Sequence, residues 1–301
     1  MHMLIGLTLM HDADLSLPHS PALAAKQQHT SLQHWDLATT QFHAIIARPI
    51  PTEYRDAIWA TGVHLGAASF WYIESTDPQL SWPLKPDEPN DLSWMKLGEG
   101  KRHLWRIADP TRPDSLFSSV LKYRPCSSPP DWMENNDTSL IPERVKSEFN
   151  ITRASTPGNN VYHLPALILS RIQHMRLTHQ NCLNFLYFTA FVTPEFLCLL
   201  EVKDAHAVFL LGWWFKMIVD GKLWWMARRA RIEGRAVRIW LRRENVGLAE
   251  LLDSLSKRDA DDEVNCVNEP TWAQAPAWKA EQPVIEVNWA MDSRGTILTS
   301  A

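Results

Sequence analysis

Glycine is scarce in this sequence, at 11 of 301 residues, roughly half the ~7% usual in globular chains. Chains built on phosphate-cradling turns or on many tight hairpins draw more heavily on glycine, so the scarcity favours helices. Cysteine is scarce too. Cys126, Cys182, Cys198 and Cys266 stand far apart with no CxxC pair, so there is no compact zinc-ligand cluster, and they read as reduced thiols of an intracellular chain. No apolar run reaches the ~20 residues that a membrane-spanning helix needs. Residues 207–215 are too short, and 177–194 are interrupted by His179, Gln180, Asn181, Asn184, Thr189 and Thr193. The N-terminus has no basic stretch ahead of its apolar residues and does not read as a signal peptide. Basic excess is also missing: a net charge of -4 gives no global electrostatic case for nucleic acid or an anionic membrane.

Catalytic signatures are missing in the same way. There is no GxSxG, no GxGxxG, no GxxxxGK[ST] and no HExxH. The nearest glycine pair, Gly98 and Gly100, lies in a helical pattern with no strand before it. The twelve histidines are dispersed. The expectation is a protein that is not an enzyme, with no catalytic residues, no metal site and no cofactor.

Hydrophobic residues make up 45% and charged residues 21%, enough for a sizeable core, and tryptophan is abundant at 15 residues. Apolar spacing predicts helices over 3–10 and 22–47, the second with Leu32, Trp35, Thr39, Phe42 and Ile46 on one face. A third runs from a Thr52 cap to about Glu74, apolar on several sides through Ile58, Trp59, Phe70 and Trp71 and therefore central. The proline-rich stretch 75–90 predicts an ordered loop, followed by a helix capped by Asn90 or Asp91 and ending near Asp109. Residues 124–160 read as a long surface insertion or mobile loop with one short helix at 142–149. From Val161 onward three or four apolar helices follow, with starts at Thr193-Pro194 and Asp204. The expected fold is all-α: a single large irregular helical domain over 1–243, with a long central loop, then an acidic short helix and a loosely packed tail over 244–301.

Three clusters invite a functional reading. Phe191, Phe196, Trp213, Trp214, Met217, Trp224 and Trp225, with Phe215, suit either a packed core or an apolar ligand pocket, and the residue types are the same for both. Arg228, Arg231, Arg235, Arg238 and Arg242 fall at steps of three and four on one helical stripe, fit either for an acidic partner or for solvent, opposite Ile232, Ala236, Ile239 and Trp240. Asp261-Asp262-Glu263-Val264-Asn265 and Asn90-Asp91-Leu92-Ser93 with Glu99 distantly resemble the two magnesium motifs of terpene cyclases, in reversed order. An all-α isoprenoid-processing enzyme or small-molecule-binding protein, and a ligand-free interaction scaffold, are therefore the alternatives.

Several separated blocks resemble the regulatory domain of fungal zinc binuclear-cluster transcription factors, the broad group that includes the sterol-uptake-control regulators. They are LTLMHDADLS with His34-Trp35, Asp56-Ala-Ile-Trp-Ala-Thr-Gly62, Ser81-Trp-Pro-Leu-Lys-Pro86, Asp91-Leu-Ser-Trp94, Gly100-Lys101, Arg112-Pro-Asp-Ser115, Thr193-Pro-Glu-Phe-Leu197 with Asp204, Trp213-Trp214 and Leu223-Trp-Trp225. The resemblance covers roughly residues 3–243. It implies an all-helical effector domain that controls lipid or secondary-metabolism genes from the nucleus, shuttling with the cytoplasm. In some relatives it binds an apolar small molecule such as a sterol in a C-terminal pocket. It also implies transcription machinery or a DNA-binding partner, and a homodimer. The family's six closely spaced cysteines are not in this sequence, so neither zinc nor direct sequence-specific DNA contact is expected of it.

Overall fold

Helices carry most of the described backbone. The structure is a computed structural model that describes residues 1–121, 136–221 and 223–255, with two short strands further on. In chain order the helices are α1 His2–Ser16, α2 Pro21–Ile46, α3 Arg55–Trp71, α4 Ser93–Ala108, α5 Ser118–Leu121 and α6 Glu143–Glu148. They continue with α7 His163–Ile172, α8 Cys182–Phe191, α9 Pro194–Glu201, α10 Ala205–Gly221, α11 Trp224–Glu244 and α12 Val246–Ser254. All twelve belong to a unit spanning Met1–Val264, which is all-α as the sequence predicts. In a second unit, Asn265–Ala301, the described residues are an antiparallel pair of two-residue strands, Ala290 opposite Leu298 and Met291 opposite Ile297. The rest of the expected tail and the 261–265 acidic motif lie outside the described residues.

α3 is central because its apolar side chains face three ways. Phe70 enters the largest core cluster, Ala68 and Trp71 pack with Met3, Met10, Ala13 and Ala38, and Ile58 and Trp59 pack with Leu104, Trp105 and Ala108. The seam between α1 and α2 is narrower than predicted. On α2 the buried positions are Ala24, Ser31 and Ala38, while Trp35 and Phe42 are half-buried and Ile46 is exposed. Small side chains let the two helices approach closely, which pushes the bulky residues to the flanks of the contact.

Helix ends agree with the sequence where a short polar side chain binds the first turn. Thr193 Oγ1 accepts from the Phe196 amide at 3.3 Å and Asp204 Oδ1 from the Ala207 amide at 2.9 Å. Thr52 and Asp91 do not cap. Thr52 opens a single 3-10 turn, and α4 starts after Leu92 with no side-chain cap, because Asp91 is drawn away to Lys85 and the Glu88 amide.

The 136–160 segment is a loop around the short helix α6, and it also supplies core. Ile141, Val145, Phe149 and Ile151 are buried in the large cluster, and Asn136 donates to the Ser155 carbonyl at 2.9 Å. Ile141, Val145 and Phe149 stand four apart, the face of the one short helix that the sequence predicts, but amid Pro, Ser, Asn and Asp so short a face reads as surface. Likewise α12, assigned from sequence to the tail region, buries Leu248, Ala249, Leu251 and Leu252.

Asp56, Arg112 and Ser115, drawn from two of the blocks quoted above, meet in space. Asp56 Oδ1 accepts from Arg112 Nη2 at 2.7 Å and from Ser115 Oγ at 2.8 Å, and Oδ2 accepts from the Leu116 amide at 2.8 Å. Arg112 also donates to the Ala108 carbonyl at 2.8 Å, so this cluster ties the start of α3 to the end of α4. Burial works to raise the Asp56 pKa, but the bonds from Leu116, Ser115 and Arg112 together hold it below the ordinary value. Asp56→Ala should therefore cost about 2–3 kcal/mol in urea unfolding at pH 7. A depressed carboxylate stabilises above its unfolded pKa and loses that contribution as pH falls through its folded one, so the gap from wild type should narrow as pH falls below the ordinary carboxylate range. A loss under about 0.5 kcal/mol at pH 7 would show that the α3–α4 junction does not depend on this carboxylate.

Candidate functional site

The aromatic residues singled out from sequence are packed into or against the core. Phe196 and Trp214 are wholly buried, Trp213 and Met217 nearly so, while Phe191, Trp224 and Trp225 are half-buried against the core. The Trp214 ring stacks on Phe188 at 5.3 Å and on Trp94 at 6.0 Å, and its Nε1 donates to the Phe185 carbonyl at 2.8 Å. Rings fill the space between α8 and α10.

The arginine stripe is also largely committed. Arg228 lies 4.3 Å over the Trp71 ring and donates to Gln28, Arg231 donates to the Ala227 carbonyl, and Arg238 and Arg242 both pair with Asp253. Arg235 is exposed. The face opposite is not quite the expected one either: Ala236 is buried, but Ile232, Ile239 and Trp240 are only half-buried. The buried stripe of α11 instead runs through Met226, Arg229, Ala230, Glu233, Val237 and Leu241.

Two charged residues on a core stripe need a local reason, and α3 provides one. Its C-terminal carbonyls have no helical partner, and Arg229 supplies donors: Nε to the Phe70 carbonyl at 3.0 Å, Nη2 to those of Ser69 and Tyr72, and Nη1 to Glu233. The guanidinium also lies 4.9 Å from the Trp94 ring centroid. Glu233 Oε1 takes the Arg229 bond, whereas its Oε2 is buried with no partner among the described residues. Burial raises the Glu233 carboxyl to about 7 in spite of the Arg229 charge beside it, and Asp91 adds to the rise.

Beside this pair opens a cavity of about 260 Å3, walled by the end of α3, the 72–92 loop, the first turn of α4 and the middle of α11. Trp35, Tyr72, Trp82 and Trp94 provide its aromatic surface, and Glu74, Lys85, Glu88, Asp91, Arg229 and Glu233 its charge. Lys85 Nζ is held by Asp91 at 2.7 Å, Glu88 at 2.6 Å and Glu74 at 3.5 Å. Burial opposes the charged form of Lys85, but these carboxylates outweigh it and raise its pKa. Of the residues weighed from sequence as a magnesium motif, Asp91 is therefore occupied by an ammonium.

Sequence reasoning missed Arg229 and Glu233 because it followed the arginines that share one stripe. The available signal was an opposite-charge pair four residues apart on the apolar stripe itself, where an unpaired charge could not be buried. Among the described residues no group of three His, Cys, Asp or Glu side chains is placed to hold a metal ion. No single described helix is long and apolar enough to cross a membrane; α8 and α9 together reach that length and composition but bend by 84° at their break. No protein-family model, curated protein or solved structure matches the chain.

Proposed function

We propose that this chain is a non-enzymatic regulatory domain of the fungal zinc-cluster transcription-factor type, whose output depends on a small molecule held in the α3–α4–α11 cavity. The main support is where the quoted blocks fall. Ser81, Trp82 and Lys85 come from one of them, Asp91, Ser93 and Trp94 from another, and all six line the 260 Å3 cavity beside the Arg229–Glu233 pair. Residues from two separate blocks thus share one concave, polar and aromatic wall, the composition of a binding site. An occupant here would touch α3, α4 and α11 together, and α3 belongs to all three core clusters. A ligand that favours one packing of these helices would shift the balance between states.

The test tethers the full chain to a heterologous DNA-binding module upstream of a reporter in a fungal host. The expected result is a several-fold change in reporter output, up or down, relative to the module alone. Equal output from the two, with the fusion intact and folded, would overturn the regulatory reading.

A further inference from the structure

Hydrogen-bonding capacity around the cavity is unevenly spent. Arg229 uses four of its five N–H donors on the Phe70, Ser69 and Tyr72 carbonyls and Glu233, and Lys85 is enclosed by three carboxylates. The cations are therefore occupied, while acceptors remain. Each carboxylate can accept about four bonds, and Glu233 Oε2 accepts none among the described residues although the residue is only 6% exposed. Lining charge points the same way, with Glu74, Glu88, Asp91 and Glu233 against Lys85 and Arg229. A second orphan, the indole N–H of Trp94, belongs to a residue 7% exposed in the same wall and flanks the same guanidinium. Trp35, Tyr72 and Trp82 add ring surface of the kind that attracts a cation.

We propose that the cavity binds a small amine in its protonated form, with the ammonium on the Glu233 carboxylate and an oxygen of the same molecule accepting from Trp94 Nε1. An anionic ligand would meet four carboxylates and cations already engaged. A wholly apolar one would leave both orphaned atoms buried and unpaired. The inference rests on reading this cavity as the ligand site, and deepens it by naming the ligand's charge and polarity.

Glu233 pairs with Arg229 on its own helix and lines the cavity together with Lys85, Asp91, Glu88 and Glu74. With its carboxyl raised to about 7, the ionised share falls as pH drops from 8 to 6. Amine affinity should then weaken between those pH values, since the ammonium itself stays charged throughout.

The experiment titrates the purified full chain with three probes that share a phenol ring: tyramine, 4-ethylphenol and 4-hydroxyphenylacetate, read by calorimetry at pH 8. Tyramine should bind at least about tenfold more tightly than either of the others, weaken on moving to pH 6, and lose most of its affinity in Glu233→Gln. The pH series needs no variant, so it still decides the matter if Glu233→Gln does not fold. Equal affinity for the three probes, preference for the carboxylate probe, no tyramine binding at millimolar concentration, or a pH-independent affinity would each overturn the proposal. Amine binding without a reporter effect would instead overturn only the regulatory reading, and a reporter effect without amine binding only this one.

Discussion

Trp214→Ala should remove about 3–5 kcal/mol of folding stability, a large part of the ~5–15 kcal/mol that holds a domain together. The ring is wholly buried, stacked between Phe188 and Trp94, edge-on to Phe70 at 5.6 Å, and tied by Nε1 to the Phe185 carbonyl. Its deletion would leave a hole among rings that cannot all move into it, because Phe188 is also braced by Phe196 and Phe70 by Trp225. Trp225 is half-buried, so Trp225→Ala should cost clearly less, about 1–2 kcal/mol. Paired urea melts of the two variants measure this directly. If Trp214→Ala kept its stability within about 1 kcal/mol of wild type while an apolar ligand lost affinity, the aromatic group would be a pocket lining after all.

Much of the helical layout is legible in the sequence because it rests on local rules. Prolines at 49, 51, 78, 83, 86 and 89 bound α2, α3 and the following loop, and Thr193-Pro194 and Asp204 announce α9 and α10 by side chains that bind the first turn. What is not legible depends on contacts distant in sequence. Asp91 has the chemistry of a cap, but Lys85, placed by the fold of the intervening loop, takes its carboxylate. Ile141, Val145 and Phe149 stand four apart on one short helix face too brief to mark core by itself, and the surrounding helices bury them together with Ile151.

The site is harder to read for a related reason. The aromatic cluster and the arginine stripe are conspicuous in sequence because they are dense, yet density records how much is packed or solvated. The cavity residues are sparse: two positions on α11, three carboxylates and a lysine in a loop, and four rings separated along the chain. Arg229 shares a helix with Arg228, Arg231, Arg235, Arg238 and Arg242 but lies on the buried stripe with Met226 and Val237. A one-residue offset from the neighbouring arginine reverses its environment, since adjacent residues on a helix point about 100° apart.

That reversal makes Arg229 the second position where a large effect is expected. Arg229→Met preserves the stem and the volume but takes the donors from three carbonyls at the end of α3 and strips Glu233 of its counter-charge. Removing one partner of a buried pair costs about 3–5 kcal/mol, and the remaining carboxylate can reduce that cost only by taking up a proton. The Glu233 pKa in the wild type is already raised, from 4.5 to about 7. The folded state thus holds a proton that the unfolded chain has released, and this contribution, full below about 4.5, fades as pH rises through about 7. In Arg229→Met the carboxyl has lost its attraction to the guanidinium, so the penalty should be smaller at pH 5 than at pH 8. Adding Glu233→Gln should restore part of the loss at pH 8 and flatten the pH dependence, because the double variant buries no charge at this point. The Phe70, Ser69 and Tyr72 carbonyls would still lack their donors, so recovery should be incomplete. Thermal melts of the single and double variants at both pH values separate the two contributions: a penalty that is the same at pH 5 and pH 8 and is unchanged by Glu233→Gln would mean that Arg229 matters only as a helix cap.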